Sequence, residues 1–241
     1  MSFEVAADAY DAYMGRHSAP LAPALADLAG VDAGQTALDV GCGPGALTAE
    51  LVRRLGPHAV AAADPSEPFC AAARARYPDV EVRRASAEEL PFPDGAFDAV
   101  VSNDAMCHIA DRPAVLKDWY RVLRPGGRAL FTDAMVLTGI VSSVEFATRS
   151  SIGFYLFVPP GLNERLLQEA GFTLRAVQDV TDNAAEVAGR WHDARARHER
   201  PLVTREGEAN FQGLQRFLRC VQTLSVERRM SRYAYVAEKP A

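Results

Sequence analysis

The chain has 241 residues and a net charge of −5 at pH 7, with 49% hydrophobic and 24% charged residues. This acidic balance disfavours a nucleic-acid partner, because no basic surplus is present to displace counterions from a phosphate backbone. The four cysteines are scattered, no run of about 18 apolar residues predicts a membrane span, and the first residues do not resemble an export signal. We therefore expect a cytoplasmic protein with reduced thiols, no bound metal and no membrane or nucleic-acid partner.

Residues 1–34 predict an N-terminal helical lid, with a helix over 4–30 that is broken at Gly15 and near Pro20 and Pro23. Its segment 10–17 is rich in aromatic and polar side chains, which suits a cover over a bound ligand. A surface helix that merely packs its tyrosines explains the same composition equally well.

A strand, a glycine turn and a helix follow between residues 36 and 55. The short apolar run over 36–40 predicts a buried strand, and Gly41, Gly43 and Gly45 allow a sharp turn after it. Leucines then recur every fourth residue from 47 to 55, which is typical of one apolar helix face. This arrangement predicts bare amide groups beside a helix N-terminus, where a ligand can lie against the backbone.

Strands and helices continue to alternate along the rest of the chain. We predict strands over 59–64, 80–83, 97–103, 128–132, 172–180 and 231–237, and helices over 66–76, 113–123, 141–153, 163–170, 184–198 and 207–227. Ser66 or Asp64 is expected to cap the first of these helices and Asn163 the fourth, and Asp111 lies near the start of the second. Basic residues near 195, 197 and 200 are interpreted as a solvated helix face.

The alternation predicts an α/β fold with a mostly parallel sheet covered on both faces. We divide it into a core over 35–181, a helical cap inserted at 182–230 and a closing strand at 231–241. Ligands of such sheets bind beyond the carboxyl ends of the strands, where the strand order reverses. Asp64, Ser86 and Asn103 fall at those ends together with the glycine turn.

Two carboxylates define the expected ligand. Asp64 lies about twenty residues beyond the glycine turn. At that position its two oxygens can accept hydrogen bonds from both hydroxyls of a ribose. The spacing from Gly41 to Ala46 also satisfies the dinucleotide pattern, which would indicate NAD and hydride transfer. Asp39 argues against that alternative, because its charge would repel a pyrophosphate and favour a cationic ligand.

Several motifs together resemble the class I S-adenosylmethionine-dependent methyltransferases, and within them the ubiquinone/menaquinone methyltransferases and similar small-molecule enzymes. They are Leu38-Asp-Val-Gly-Cys-Gly-Pro-Gly45, Asp64-Pro-Ser, Ala87-Glu-Glu-Leu-Pro-Phe92, Phe97-Asp-Ala-Val and Arg121-Val-Leu-Arg-Pro-Gly-Gly127. The resemblance covers about residues 35 to 135. It implies a doubly wound, seven-stranded, Rossmann-like sheet whose last strand is antiparallel, with S-adenosylmethionine as methyl donor.

The resemblance also assigns residues to parts of that cofactor. The segment around Gly41, Cys42 and Gly43 would hold the methionine part, with Asp39 beside it, and Asp64 with Pro65 would hold the ribose. Ser86 and Ala87 would meet the adenine, Asn103 the region beside the sulfonium, and Tyr13 and Arg16 would close over the cofactor. Ser86 stands where many relatives carry Asp, which predicts a weaker contact with the adenine amino group.

The methyl acceptor is expected to be a small molecule, methylated at nitrogen, oxygen or carbon by a monomer or homodimer. His108 is the candidate base, since its position follows the fourth strand, although a role in ordering the loop is an alternative. His192 and His198 are expected on exposed helix positions. Aromatic residues at Phe154, Tyr155 and Trp191, with 157 and 211, either line the acceptor site or belong to the core. An NAD-dependent oxidoreductase and a non-catalytic nucleoside-binding homologue are the alternative functions.

Overall fold

The structure is a computed structural model that describes Tyr10 and residues 14–241. Seven strands form one sheet in the order β3-β2-β1-β4-β5-β7-β6. The strands are β1 (Ala37–Val40), β2 (Val60–Asp64), β3 (Glu81–Arg84), β4 (Phe97–Ser102), β5 (Leu123–Leu137), β6 (Thr173–Asp179) and β7 (Met230–Glu238). Strands β1 and β2 are buried along their whole length, as expected for strands covered on both faces.

The first five strands are parallel, and β1 lies between β2 and β4. Asp39 is in register with Ala62 on one side and with Val101 on the other. The carboxyl ends of β1, β2 and β4 therefore meet at one edge of the sheet, at the point where the strand order reverses.

The last strand, β7, runs antiparallel to β5. The amide of Gly126 donates to the carbonyl of Lys239, whereas Phe131, further along β5, stacks on Tyr235, earlier in β7. Partner residues therefore ascend in one strand as they descend in the other. The predicted seven-stranded α/β sheet with an antiparallel last strand is confirmed.

The helices connect these strands in chain order. They are α1 (Arg16–Leu28), α2 (Ala46–Leu55), α3 (Glu67–Arg76), α4 (Arg112–Val122), α5 (Ser143–Arg149), α6 (Leu162–Glu169), α7 (Thr181–Arg197), α8 (Glu199–Glu206) and α9 (Glu208–Val226). Two short 3₁₀ turns lie at Pro57–Ala59 and Met106–His108. The prediction that Pro20 and Pro23 break the first helix is wrong, since α1 contains both. Burial of Leu25 and Ala26 on its inner face compensates for the lost hydrogen bonds.

Other boundaries also differ from the predictions. Strand β5 begins at Leu123, directly after α4, and not at residue 128, because Gly126 and Gly127 pair with Lys239 within the sheet. Asn163 lies inside α6 and does not cap it; its side chain accepts a hydrogen bond from Arg112 (2.6 Å). The helix α8 was not predicted.

The chain divides into two compact units. The first contains residues 1–132, 163–177 and 235–241, and the second contains residues 133–162 and 178–234. The predicted cap at 182–230 falls within the second unit. There, Arg195 is buried, forms an ion pair with Glu206 and lies over the Phe211 ring (5.1 Å). The interpretation of this region as a wholly solvated basic face is therefore wrong for Arg195.

None of the helices in the described part of the chain has the length and apolar character needed to cross a bilayer.

Candidate cofactor site

The glycine bend, residues 41–45, joins β1 to α2. Gly41, Gly43 and Gly45 all have positive φ angles (72°, 53° and 96°), which glycine adopts without the steric cost of a side chain. The amides of Gly41 and Cys42 donate to the carbonyl of Ala63 in β2 (2.8 and 3.2 Å). The prediction of bare amide groups is thus wrong for these positions, because the end of the neighbouring strand supplies their acceptor.

Asp64, the last residue of β2, accepts a hydrogen bond from another amide of the glycine bend. Its Oδ2 accepts a hydrogen bond from Gly43 (2.9 Å) and its Oδ1 accepts one from Ser66 (2.8 Å). The residue is only 6% exposed. Burial raises the pKa of Asp64 above its usual value, and the two backbone hydrogen bonds limit the rise. The carboxylate therefore points at the glycine bend and fixes its shape.

Asp39 places a second carboxyl group behind the same bend. It is 1% exposed, and its Oδ2 accepts a hydrogen bond from the Thr48 hydroxyl of α2 (2.7 Å). Burial, and to a smaller extent the nearby charge of Asp64, raise the pKa of Asp39 to about 7. Two acidic groups in one buried place favour a positively charged ligand and disfavour a polyphosphate.

The loop after β4 forms another wall of the site. Asn103 and Asp104 both contact Thr132 of β5, whose hydroxyl accepts from the Asp104 amide (2.8 Å) and lies 3.0 Å from Asn103 Oδ1. Asp104 has a φ of 53°, which is uncommon for a residue with a side chain. Such strained positions cluster at functional sites and persist only where neighbours hold them. Sequence reasoning placed Asn103 here but missed Asp104, Thr132 and Thr48, since no local pattern marks them.

Three further side chains enclose the glycine bend. A Cβ atom added to Gly41 would lie 2.6 Å from the Ala105 side chain, and one added to Gly45 would lie 2.8 Å from the Tyr77 ring. The centre of the Tyr10 ring lies 4.8 Å from that of the Phe69 ring, with the two planes tilted by 46°, and the Tyr10 ring comes within 3.8 Å of the Cβ position of Gly43. An aromatic residue of the predicted lid segment therefore lies beside the bend.

The loop after β3, which carries Ser86 and Ala87, is held by α4. Arg121 donates to the carbonyls of Leu90 and Phe92 (2.8 and 2.7 Å) and pairs with Asp118. This contact explains physically why the two motifs at 87–92 and 121–127 occur together. The amide of Ala85 also donates to the Asp64 carbonyl (3.1 Å), so the loop begins at the site.

The remaining candidate residues lie at varied positions. Pro65 and Ser86 are exposed, Ala87 and Asn103 are half-buried, and Cys42 is buried. His108 is half-buried at the end of the 3₁₀ turn that follows β4. Tyr13 lies outside the described residues, as does the side chain of Arg16. In the described part of the chain, no group of three or more His, Cys, Asp or Glu could hold a metal ion.

The candidate acceptor residues lie in the second unit. Tyr155 lies under Arg149, Phe157 packs edge-on against Phe146, and Phe211 is buried under Arg195. Phe154 is exposed, and Trp191 is half-buried on α7. The assignment of Phe154, Tyr155 and Trp191 to the acceptor stays a prediction.

We expect Gly41→Ala to destabilise the protein by about 2–4 kcal/mol, because it combines a strained backbone with a collision against Ala105. Gly95→Ala is the matched control: Gly95 also has a positive φ (63°), but an added Cβ would meet nothing within 4 Å. The control should lose only about 1 kcal/mol. Urea denaturation measures both values, and equal losses would show that the approach of Ala105 is unimportant.

Comparison with known proteins identifies the region that carries this site. Residues 38–131 match a family model described as a methyltransferase domain. This region is a class I methyltransferase domain. It contains the glycine bend, Asp64 and the loop after β4, so the family that the motifs resemble is confirmed.

The methyltransferase domain has curated and structural relatives. The ubiquinone/menaquinone biosynthesis C-methyltransferase UbiE of Escherichia coli O1:K1 is 39% identical over 111 residues, which cover 43% of this chain and 44% of that enzyme. The match thus spans less than half the length of the curated relative. Phosphoethanolamine N-methyltransferase 2 of Haemonchus contortus superposes with a TM-score of 0.82 at 22% identity, covering 98% of this chain and 57% of that one.

Another solved structure with this fold is described as a cyclase. SpnF, a 4+2 cyclase, superposes with a TM-score of 0.72 at 23% identity and covers 92% of this chain and 82% of its own. Likeness at this level of identity shows the fold alone. The chemistry has to be argued from the residues of the site.

Proposed function

We propose that the protein transfers the methyl group of S-adenosylmethionine to a small-molecule acceptor. The observation that carries this proposal is the pair of buried carboxyl groups, Asp39 and Asp64, at a glycine bend whose amides already have acceptors. Phosphate-binding bends present free amides to their ligand, whereas this bend presents acidic groups. An adenosine that carries a sulfonium and an ammonium suits such a site, and a dinucleotide pyrophosphate does not.

The residues of the site fit the proposed ligand. A carboxylate can accept about four hydrogen bonds. Asp64 can therefore keep those from its two backbone amide donors and still accept one from each of the two ribose hydroxyls. Ionised Asp39 favours the positive charge of the ligand at short range. Ser86 and Ala87 would contact the adenine and Asn103 the region of the sulfonium, while Tyr10, Tyr13 and Arg16 would cover the ligand.

When bound, S-adenosylmethionine supplies an electrophilic methyl group attached to a neutral thioether leaving group. The protein therefore has to position the acceptor in line with that methyl and to exclude water, and positioning alone can contribute about 7–11 kcal/mol. For an acceptor that loses a proton on methylation, His108 would accept it, because a neutral imidazole is a suitable base near neutral pH. The other candidate base is solvent water.

The relatives do not agree on the acceptor atom. UbiE is described as a C-methyltransferase, and the Haemonchus enzyme as an N-methyltransferase in complex with phosphomonomethylethanolamine. We propose only a small acceptor, for which Phe154, Tyr155 and Trp191 are the candidate binding residues.

Calorimetry with S-adenosylhomocysteine and with NADH tests the cofactor assignment. We expect the first ligand to bind and the second not to bind, because the amides of the glycine bend already have acceptors and two carboxyl groups lie beside them. Turnover is then tested with radiolabelled S-adenosylmethionine and a panel of amine, phenol and quinol acceptors. Binding of NADH alone would support an oxidoreductase, and nucleoside binding without methyl transfer to any acceptor would support a non-catalytic homologue.

A further inference from the structure

Arg149 is a buried cation in the second unit. It ends α5 and is only 7% exposed. Its guanidinium carbon lies 4.9 Å from the centre of the Tyr155 ring and 5.0 Å from that of Phe217 in α9. Aromatic faces attract such a cation through the negative potential above the ring.

The nearest carboxylate on its own helix is not available to Arg149. Glu145 lies one helical turn earlier, where it would be a natural partner. However, Oε1 of Glu145 accepts from Arg229 (2.7 Å) and its Oε2 accepts from the Ser142 amide and hydroxyl (2.9 and 2.7 Å). Among the described residues, no acceptor lies within hydrogen-bond distance of Arg149 Nη1, and this atom is fully buried.

Arg195, in the same unit, provides an internal comparison. It is also buried and lies over an aromatic ring, that of Phe211, but it has a carboxylate partner in Glu206. Arg149 has the aromatic contacts, but no carboxylate of the residues that the structure describes forms an ion pair with it. A buried ion without a counter-charge is destabilising, so the missing anion is expected to come from a ligand.

We propose that Arg149 binds the oxyanion, a carboxylate or a phosphate, of a small organic ligand. This inference goes beyond the proposed methyl transfer and concerns a binding site formed by residues of the second unit alone. The two rings cover the guanidinium carbon, and Nη1 remains to donate a charge-assisted hydrogen bond to the anion. Tyr155 and Phe217 would contact the apolar part of that ligand beside the anion.

Three related probes test this proposal: phenylacetate, phenyl phosphate and the neutral phenylacetamide. Binding is measured by ligand-observed NMR titration, with and without S-adenosylhomocysteine. We expect the wild-type protein to bind at least one anionic probe and to bind the neutral amide more weakly. The anionic probe that binds more tightly shows whether the natural ligand carries a carboxylate or a phosphate. Arg149→Gln should weaken the binding of that anion by about 10- to 100-fold, because a charged hydrogen bond is lost, while Arg149→Lys should give an intermediate value.

Arg190→Gln is the matched control, because Arg190 is an exposed arginine in the same unit and pairs with Glu186 on its own helix. It should bind the anionic probe as the wild-type protein does. Thermal unfolding without ligand separates binding from structure: removing an uncompensated charge should leave the midpoint of Arg149→Gln unchanged or raised. The proposal is overturned if the anions bind no better than the amide, if Arg149→Gln keeps full anion binding, or if its midpoint falls by several degrees. A wild-type protein that binds the anion but not S-adenosylhomocysteine would refute the proposed cofactor and leave the anion site standing.

Discussion

Asp64→Ala is expected to weaken binding of S-adenosylhomocysteine by about 10- to 150-fold, which corresponds to the loss of roughly 1.5–3 kcal/mol from charged hydrogen bonds to the ribose. The substitution also removes the acceptor for the Gly43 amide, so the glycine bend loses a contact that fixes its shape. Calorimetric titration with the nucleoside measures the affinity directly.

Two control variants separate the possible causes. Asp64→Asn keeps an oxygen for one backbone amide but loses the charge, so an intermediate affinity would indicate that charge and geometry both contribute. Asp79→Ala removes an exposed carboxylate at the turn before β3 and should leave the affinity unchanged. Unaltered nucleoside affinity in a folded Asp64→Ala protein would contradict the ribose assignment.

Asp39→Asn is expected to increase the free energy of unfolding of the ligand-free protein by about 1–3 kcal/mol at about pH 8. The pKa of Asp39 is about 7 in the folded protein against an ordinary value of 3.8, so between these two pH values the folded protein binds one more proton than the unfolded chain. Stability therefore falls as the pH rises from about 4 to 7, and the penalty persists above that range. Asparagine cannot ionise and avoids this penalty. Urea denaturation over this pH range measures the difference between the two proteins.

The same linkage predicts a proton signature of cofactor binding. A cationic ligand favours ionised Asp39, so at about pH 6 the wild-type protein should release close to one proton on binding S-adenosylmethionine, and its affinity should rise with pH up to about 7. Titration calorimetry in buffers of different ionisation enthalpy counts these protons. Asp39→Asn should release none and should bind the cation more weakly at about pH 8. Equal proton release by both proteins would show that Asp39 does not respond to the ligand.

The parts of the fold with local signals could be predicted from the sequence. Alternating apolar segments and turn residues located all seven strands, and the glycines with Asp64 located the site at the carboxyl edge. The antiparallel direction of β7 came from the family resemblance, since one strand of alternating residues has no intrinsic direction.

The features that depend on distant partners could not be predicted. The amides of Gly41 and Cys42 donate to a carbonyl of β2, about twenty residues away in sequence. Helix α1 contains two prolines and still forms because its inner face is buried. Thr132, on a neighbouring strand, accepts a hydrogen bond from the Asp104 amide. Glu206 pairs with Arg195, an arginine that the sequence pattern places on the surface but that is buried. Each of these outcomes depends on tertiary contacts that no local window of sequence contains.

The position of β7 constrains how the sheet can be completed during synthesis. It is the last of the seven strands in chain order, yet it lies between β5 and β6. Until the ribosome has released residues 230–238, β6 has no neighbouring strand to pair with and β5 has one open edge. We therefore expect nascent chains that stop before residue 230 to remain sensitive to proteases and chaperones, although the cofactor-binding strands β1 to β4 have already emerged.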